Sequence, residues 1–152
     1  MSKESFNMNR ELDNQEKSDN TFTMKNILIL SETISRLLNK NVPVLARTKL
    51  IRINKLFKNE IEIYNEVRIK KADEYSGGKE KIEKIVDEKG VERKISNFDI
   101  PDDKQTEFNR EIKKLQDQKI EIKFAKIPLS DFDDCEENIG QFLSILDDLL
   151  VI

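Results

Sequence analysis

From Asn41 to Ser76 the sequence reads NVPVLARTKLIRINKLFKNEIEIYNEVRIKKADEYS, the longest segment whose apolar residues keep helical spacing. Ala46, Leu50, Ile53, Phe57, Ile61, Tyr64 and Val67 follow one another at steps of three or four, so on a helix they line one side. Pro43 suits the first turn of such a helix, where its missing N–H costs nothing, and the Gly77-Gly78 pair suits the far end. A helix of this length constrains everything else: the remaining segments must cover its apolar side.

The flanking segments supply candidates. After Thr21 or Thr23, either of which can cap a helix, MKNILILSETISRLLNK places Ile27, Leu30, Ile34, Leu37 and Leu38 on one face. The short link through Asn39-Lys40-Asn41 predicts that this first helix folds back antiparallel on the long one. Beyond Gly78, Ile82, Ile85, Val86, Val91 and Ile95 surround Asp87-Glu88-Lys89-Gly90, which predicts a β-hairpin with glycine at the turn position that needs positive φ. Pro101-Asp102-Asp103 opens a further helix carrying Phe108, Ile112 and Leu115 on one side, with acidic groups near its positive end. In KIEIKFAKIP, Ile120, Ile122 and Phe124 alternate with Lys119, Glu121 and Lys123, the pattern of a half-buried strand. Two strands alone are marginal, so this third strand is expected to join the hairpin. Ser130 or Asp133-Asp134 can cap a closing helix whose stripe is Ile139, Phe142, Leu143, Leu146, Leu149 and Leu150. That stripe either docks on the body or carries an oligomer interface through Phe142, Leu146 and Leu149.

The expected fold is therefore α+β: an antiparallel helical hairpin, a small three-stranded antiparallel sheet and a C-terminal helix. Residues 1–20 are mostly polar and read as a disordered tail, and 21–152 as a single domain. Its 152 residues can build one core without disulfides or metals. Charged residues reach 38% against 37% hydrophobic, which suggests thin layers, long amphipathic helices or an oligomer that supplies missing burial.

Charge and residue types narrow the function classes. The 27 basic and 30 acidic residues are finely interspersed, with a net charge of -3, so no global field attracts DNA. The chain has no histidine and one cysteine, Cys135, which removes a zinc site and a Ser-His-Asp triad. No stretch approaches the roughly 20 apolar residues of a membrane span, and the polar N-terminus lacks the apolar run of a signal peptide. A cytoplasmic protein with a reduced Cys135 is expected, with no cofactor and no membrane partner.

In order along the chain come Val42-Pro43, then Glu60, Tyr64, Arg68 and Tyr75-Ser76, then Glu107-Phe108-Asn109, Glu121-Ile122-Lys123-Phe124 and Pro128-Leu129-Ser130-Asp131-Phe132. This succession, over roughly Met24 to Ile152, resembles small accessory proteins of phages and prophages in low-GC Gram-positive bacteria. In those proteins a short helix leads through a Pro link into a helix patterned Glu-x-x-x-Tyr-x-x-x-Arg, followed by a charged hairpin, a Glu-Phe-Asn helix and a short strand. Here Ser76 stands where the pattern usually has glycine. The resemblance implies a phage setting inside the host cell and a role as a host-defence antagonist, a takeover factor or an assembly helper.

Several groups could carry chemistry, and each has a plainer alternative. Glu60, Tyr64 and Arg68 could form a polar site, or simply an i,i+4 ladder that steadies an exposed helix. Arg47, Lys49, Arg52 and Lys55, with Arg36 approaching from the first helix, could hold a phosphate or a small anionic nucleotide; the plainer alternative is a solvated face. Gly77-Gly78-Lys79 lacks the spacing of a phosphate-binding loop. Asp131, Asp133, Asp134, Glu136 and Glu137 lack the alternate ligands and central glycine of a calcium loop, and helix capping accounts for them. Their charge disfavours a Cys135 thiolate. Paired carboxylates can run glycosidic chemistry, but nothing places two of them in an apolar cleft. The leading expectation is a non-enzymatic phage or prophage accessory protein that binds a host or phage protein, as a homo-oligomer. The alternative is a sequestering protein for a small anionic nucleotide signal.

Overall fold

The computed structural model describes residues 20–135 and 138–152. The elements are β1 (Thr21–Thr23), α1 (Met24–Leu37), α2 (Val44–Ser76), β2 (Glu80–Val86), β3 (Glu92–Phe98), α3 (Asp102–Gln116), β4 (Lys119–Glu121), β5 (Ile127–Pro128), α4 (Gly140–Ile145) and β6 (Leu150–Val151), with 3-10 turns at Leu129–Phe132 and Asp147–Leu149. The mixture of helices with short strands is α+β. The tail expected over 1–20 lies outside the described residues except for Asn20. By their internal contacts the described residues divide into two compact units: 20–61 with 117–135 and 138–152, and Glu62–Gln116.

In the first unit, Thr23 caps α1, its hydroxyl accepting from Asn26 N at 3.2 Å and satisfying one of the donors that a helix start leaves orphaned. The residues in register between α1 and α2 show an antiparallel pair: Ser31 meets Asn54, and Arg47 meets the Leu38 carbonyl. Ile27, Leu30, Ile34 and Leu37 from α1 and Ala46, Leu50, Ile53 and Phe57 from α2 are all buried, as their 3.6-residue spacing requires.

An aromatic cluster closes the core, with Phe22 edge-on to Phe57 at 5.6 Å and stacked with Phe124 at 6.1 Å. It also decides the fate of the third predicted strand. Rather than joining the hairpin, β4 pairs antiparallel with β1, Phe22 opposite Ile120. Asn20 extends the pairing, its carbonyl accepting from Ile122 N at 2.9 Å and its side-chain amide donating to Phe124 O at 3.0 Å. The sheets are therefore two-stranded. The predicted alternation survives, with Ile122 and Phe124 buried between exposed Glu121, Lys123 and Ala125.

The C-terminal helix is present but spans only Gly140–Ile145. After the Asp147–Leu149 turn the chain straightens, so that Leu150 and Val151 pair in parallel with Ile127 and Pro128. Among the described residues no helix is long and apolar enough to cross a membrane.

In the second unit, the last turns of α2 end in a Schellman arrangement. Gly78 N donates to Asp73 O at 3.1 Å and Gly77 N to Glu74 O at 3.3 Å, with both glycines at positive φ. The hairpin forms where the sequence predicts it. Asp87 Oδ1 accepts from Lys89 N and Val91 N, both at 2.9 Å, and Gly90 takes φ 77° at the position where a side chain would be strained. On α3, Phe108 meets Tyr75 edge-on at 5.8 Å.

Candidate functional site

The five cations predicted as an anion site do not converge. Arg36 is spent on Glu32, one turn away on its own helix, at 2.7 Å. Arg47 turns toward the end of the first helix, where its guanidinium donates to the carbonyls of Leu38 at 3.0 Å and Lys40 at 2.7 Å. It thus satisfies the Leu38 carbonyl at the C-cap of α1, where the helix dipole also favours a cation, and gives a second donor to the Lys40 carbonyl, which already accepts from Val42 N at 3.0 Å. Lys49 pairs with Asp131 at 2.5 Å, bringing the turn after β5 to the side of α2. Asp131 is accordingly a structural anchor of the predicted acidic group; Asp133 and Asp134 are exposed, and Glu136 and Glu137 lie outside the described residues. Cys135 donates to Asn41 O at 3.4 Å.

Arg52 and Lys55 remain, both exposed, on the side of α2 opposite its core stripe. Successive residues advance about 100° around a helix, so Leu45, Arg52 and Leu56 form one line and Val44, Ile51 and Lys55 a parallel one. Val44 is 77% exposed and Leu45 65%, with Ile51 and Leu56 about two-fifths exposed. The two lines lie about 100° apart, with exposed Thr48 and Asn59 between them, so four aliphatic groups flank a strip that holds the two cations and two polar side chains. These aliphatic residues do not stand out in the sequence as site residues, because they lie off the periodic core stripe that dominates the helical pattern. The signal was nevertheless legible: large apolar residues recur on the wheel where a solvated helix would carry polar ones.

The predicted interface trio is split. Leu146 and Leu149 are wholly buried in the first unit's own core, while Phe142 is half-buried. A small recess of about 140 Å³ lies beside Asn26, Ile29, Leu30, Ile145 and Asp148.

In the second unit, Tyr64 is not part of an exposed ladder. Its ring is buried and its hydroxyl accepts from Gln116 Nε2 at 3.3 Å, which makes it a packing residue. An open cleft of about 260 Å³ is lined by Lys71, Glu74, Tyr75, Lys104 and Glu107. Partial desolvation, followed by the Glu107 carboxylate as charge and hydrogen-bond acceptor, raises the Tyr75 phenol above its ordinary value of 10.0 and keeps it protonated. On the hairpin, hydrogen bonds from Lys81 and then Asn97 hold the Glu83 carboxyl below its ordinary 4.5. The cleft offers balanced charges and a neutral phenol, and no base poised beside a nucleophile. Among the described residues no group of three or more acidic or cysteine side chains is gathered to hold a metal ion.

No family model, curated protein or solved structure matches the chain.

Proposed function

We propose that this chain is a non-enzymatic phage or prophage accessory protein that acts by binding another protein through the outward face of α2. The observation that carries the reading is the surface itself: Val44, Leu45, Ile51 and Leu56 exposed around Arg52 and Lys55. Aliphatic groups left in water on a helix gain by burial against a partner, at about 25 cal/mol per Å². The two cations select for carboxylates on that partner and steer its approach. The fitting partner is an acidic protein segment with apolar residues of its own, and the phage setting rests on the motif order in the sequence.

Sequestration of an anionic nucleotide has less support, because Arg47 and Lys49 are already engaged within the fold.

The test compares the wild-type chain with a Leu45→Asp, Arg52→Glu, Leu56→Asp variant for capture of protein from infected host cells, followed by titration of the purified partner. The variant should fold normally, since all three side chains are exposed. It should lose about 100-fold or more in affinity if two of the three act as hot spots. An Arg47→Ala control should lower the melting temperature and leave capture intact. Equal binding by wild type and triple variant rejects the proposal, as does a partner whose contact surface is basic.

A further inference from the structure

The β2–β3 hairpin carries information that the proposed partner surface does not use. It is a two-stranded sheet, and nearly all its side chains are exposed, Ile82 at 72%. Such a ribbon is marginal in isolation, and each of its strands has an outer edge whose peptide groups pair with no other strand among the described residues.

Register identifies which groups those are. Lys79 pairs with Asp99 and Asp87 with Val91 through backbone bonds, Asp99 N to Lys79 O at 2.8 Å and Asp87 N to Val91 O at 3.1 Å. Hydrogen-bonded residues alternate along an antiparallel strand, so Lys81, Glu83 and Ile85 direct their peptide groups toward β3. Glu80, Ile82, Lys84 and Val86 direct theirs to the open edge.

We infer that this edge is a pairing surface for a second copy of the same chain, β2 lying antiparallel to its counterpart with the two-fold axis at Ile82. Two-fold pairing within one sheet sets residues opposite each other symmetrically about a central residue, so the choices can be checked in turn. An axis at Glu80, Lys81, Glu83 or Lys84 places a charged side chain opposite its own copy. An axis at Ile85 places Glu83 opposite Asp87, and one at Val86 runs the overlap into the turn. At Ile82 the isoleucines face each other, Lys81 lies opposite Glu83, and Glu80 opposite Lys84, each relation occurring twice. The same register brings the outward peptide groups of Ile82, Glu80 and Lys84 into hydrogen-bonded pairs. On β3 an axis at Ile95 sets Lys94 opposite Ser96 and Arg93 opposite Asn97, without one opposite-charge pair. The sequence EKIEK at Glu80–Lys84 is thus self-complementary in charge when read against its own reverse, which is what selects a second copy over another edge strand. The product is a four-stranded sheet, ordered β3, β2, β2, β3.

The test is the mass of the full-length chain in solution, by light scattering across a dilution series. Wild type should give twice 17.8 kDa, dissociating on dilution and with added salt. A Lys81→Glu, Lys84→Glu variant has an acidic strand, and a Glu80→Lys, Glu83→Lys variant a basic one. Each alone should be a monomer, and an equimolar mixture should regain the dimer mass. Ile82→Pro removes only an outward N–H and should give a monomer with unchanged circular dichroism. A monomeric wild type overturns the inference. So does a dimer that survives in both charge variants, or two monomeric variants that do not recombine. None of these substitutions touches the α2 face, so loss of self-pairing and loss of partner capture are separable results.

Discussion

Asn54 lies on the core side of α2 among apolar neighbours, buried and still satisfied. Its Oδ1 accepts from Ser31 Oγ at 2.7 Å and its Nδ2 reaches Ser35 Oγ at 3.4 Å. A buried amide at a helix–helix contact costs more when half-paired than when absent. It therefore fixes the register of the two helices. Asn54→Ala strands the Ser31 hydroxyl in the core and should destabilise the fold by about 1–3 kcal/mol. Adding Ser31→Ala should cost less than the sum of the single changes, because the partners act as a unit. Urea unfolding of the four proteins in that cycle measures both quantities. The pairing was not visible beforehand: Asn54 sits beside the expected stripe, and only the α1 residue facing it decides whether it is a core polar group or a surface one. Val67 shows the converse. A step of three from Tyr64 reaches it and a step of four reaches Arg68, and spacing alone allows both. In the structure Val67 is exposed, and burial resumes at Ala72 and Ser76.

At the scale of elements, the hairpin depends on local chemistry for its turn and on side-chain bonds across its face. Glu83 accepts from Asn97 Nδ2 at 3.2 Å and pairs with Lys81 at 3.2 Å. Because the folded state holds this carboxyl below its ordinary 4.5, the folded state binds the proton more weakly than the unfolded one. Its contribution to stability is therefore complete above that ordinary value and is lost as pH falls through the folded value. Glu83→Gln should flatten this part of the acid limb, measured as amide-exchange protection of β2 and β3 against pH. The hairpin was legible because everything that specifies it is close in sequence: β-branched flanks, the Asp87 side chain and Gly90. The strand at Lys119–Glu121 was legible as a strand, but its partner was not. Pairing with Thr21–Thr23 crosses most of the chain, and Thr-Phe-Thr is too short to announce itself. The basic cluster shows the same limit. The spacing of Arg47, Lys49, Arg52 and Lys55 is fixed by the helix, whereas the Leu38 and Lys40 carbonyls and Asp131 that claim two of them arrive by tertiary folding.

At the scale of the whole chain, both ends of the described sequence are built into one core. Phe22 stacks on Phe124, and Leu149 is fully buried next to the bridge of Leu150 to Ile127. Deleting Leu149–Ile152 should therefore cost about 2–5 kcal/mol, the range for emptying a buried leucine site. The lowered midpoint should be visible in thermal unfolding; an unchanged midpoint would show that the bridge and Leu149 contribute nothing.

The sequence by itself determined the first three helices, the Thr23 cap, the hairpin with its turn and the α+β character, because periodicity, capping and turn chemistry act within a few residues; the closing helix it placed after Ser130 or Asp133-Asp134 starts instead from Ile139, with no side-chain cap, and ends at Ile145. The sequence also determined the charge pattern of Glu80–Lys84, which is written in consecutive side chains. The tertiary structure alone decided how the strands outside the hairpin pair, which cations are spent inside the fold, and which apolar residues of α2 stay in water. Those outcomes depend on groups far apart in the chain competing for the same donors, acceptors and buried surface, and that competition is settled only when the whole molecule is assembled.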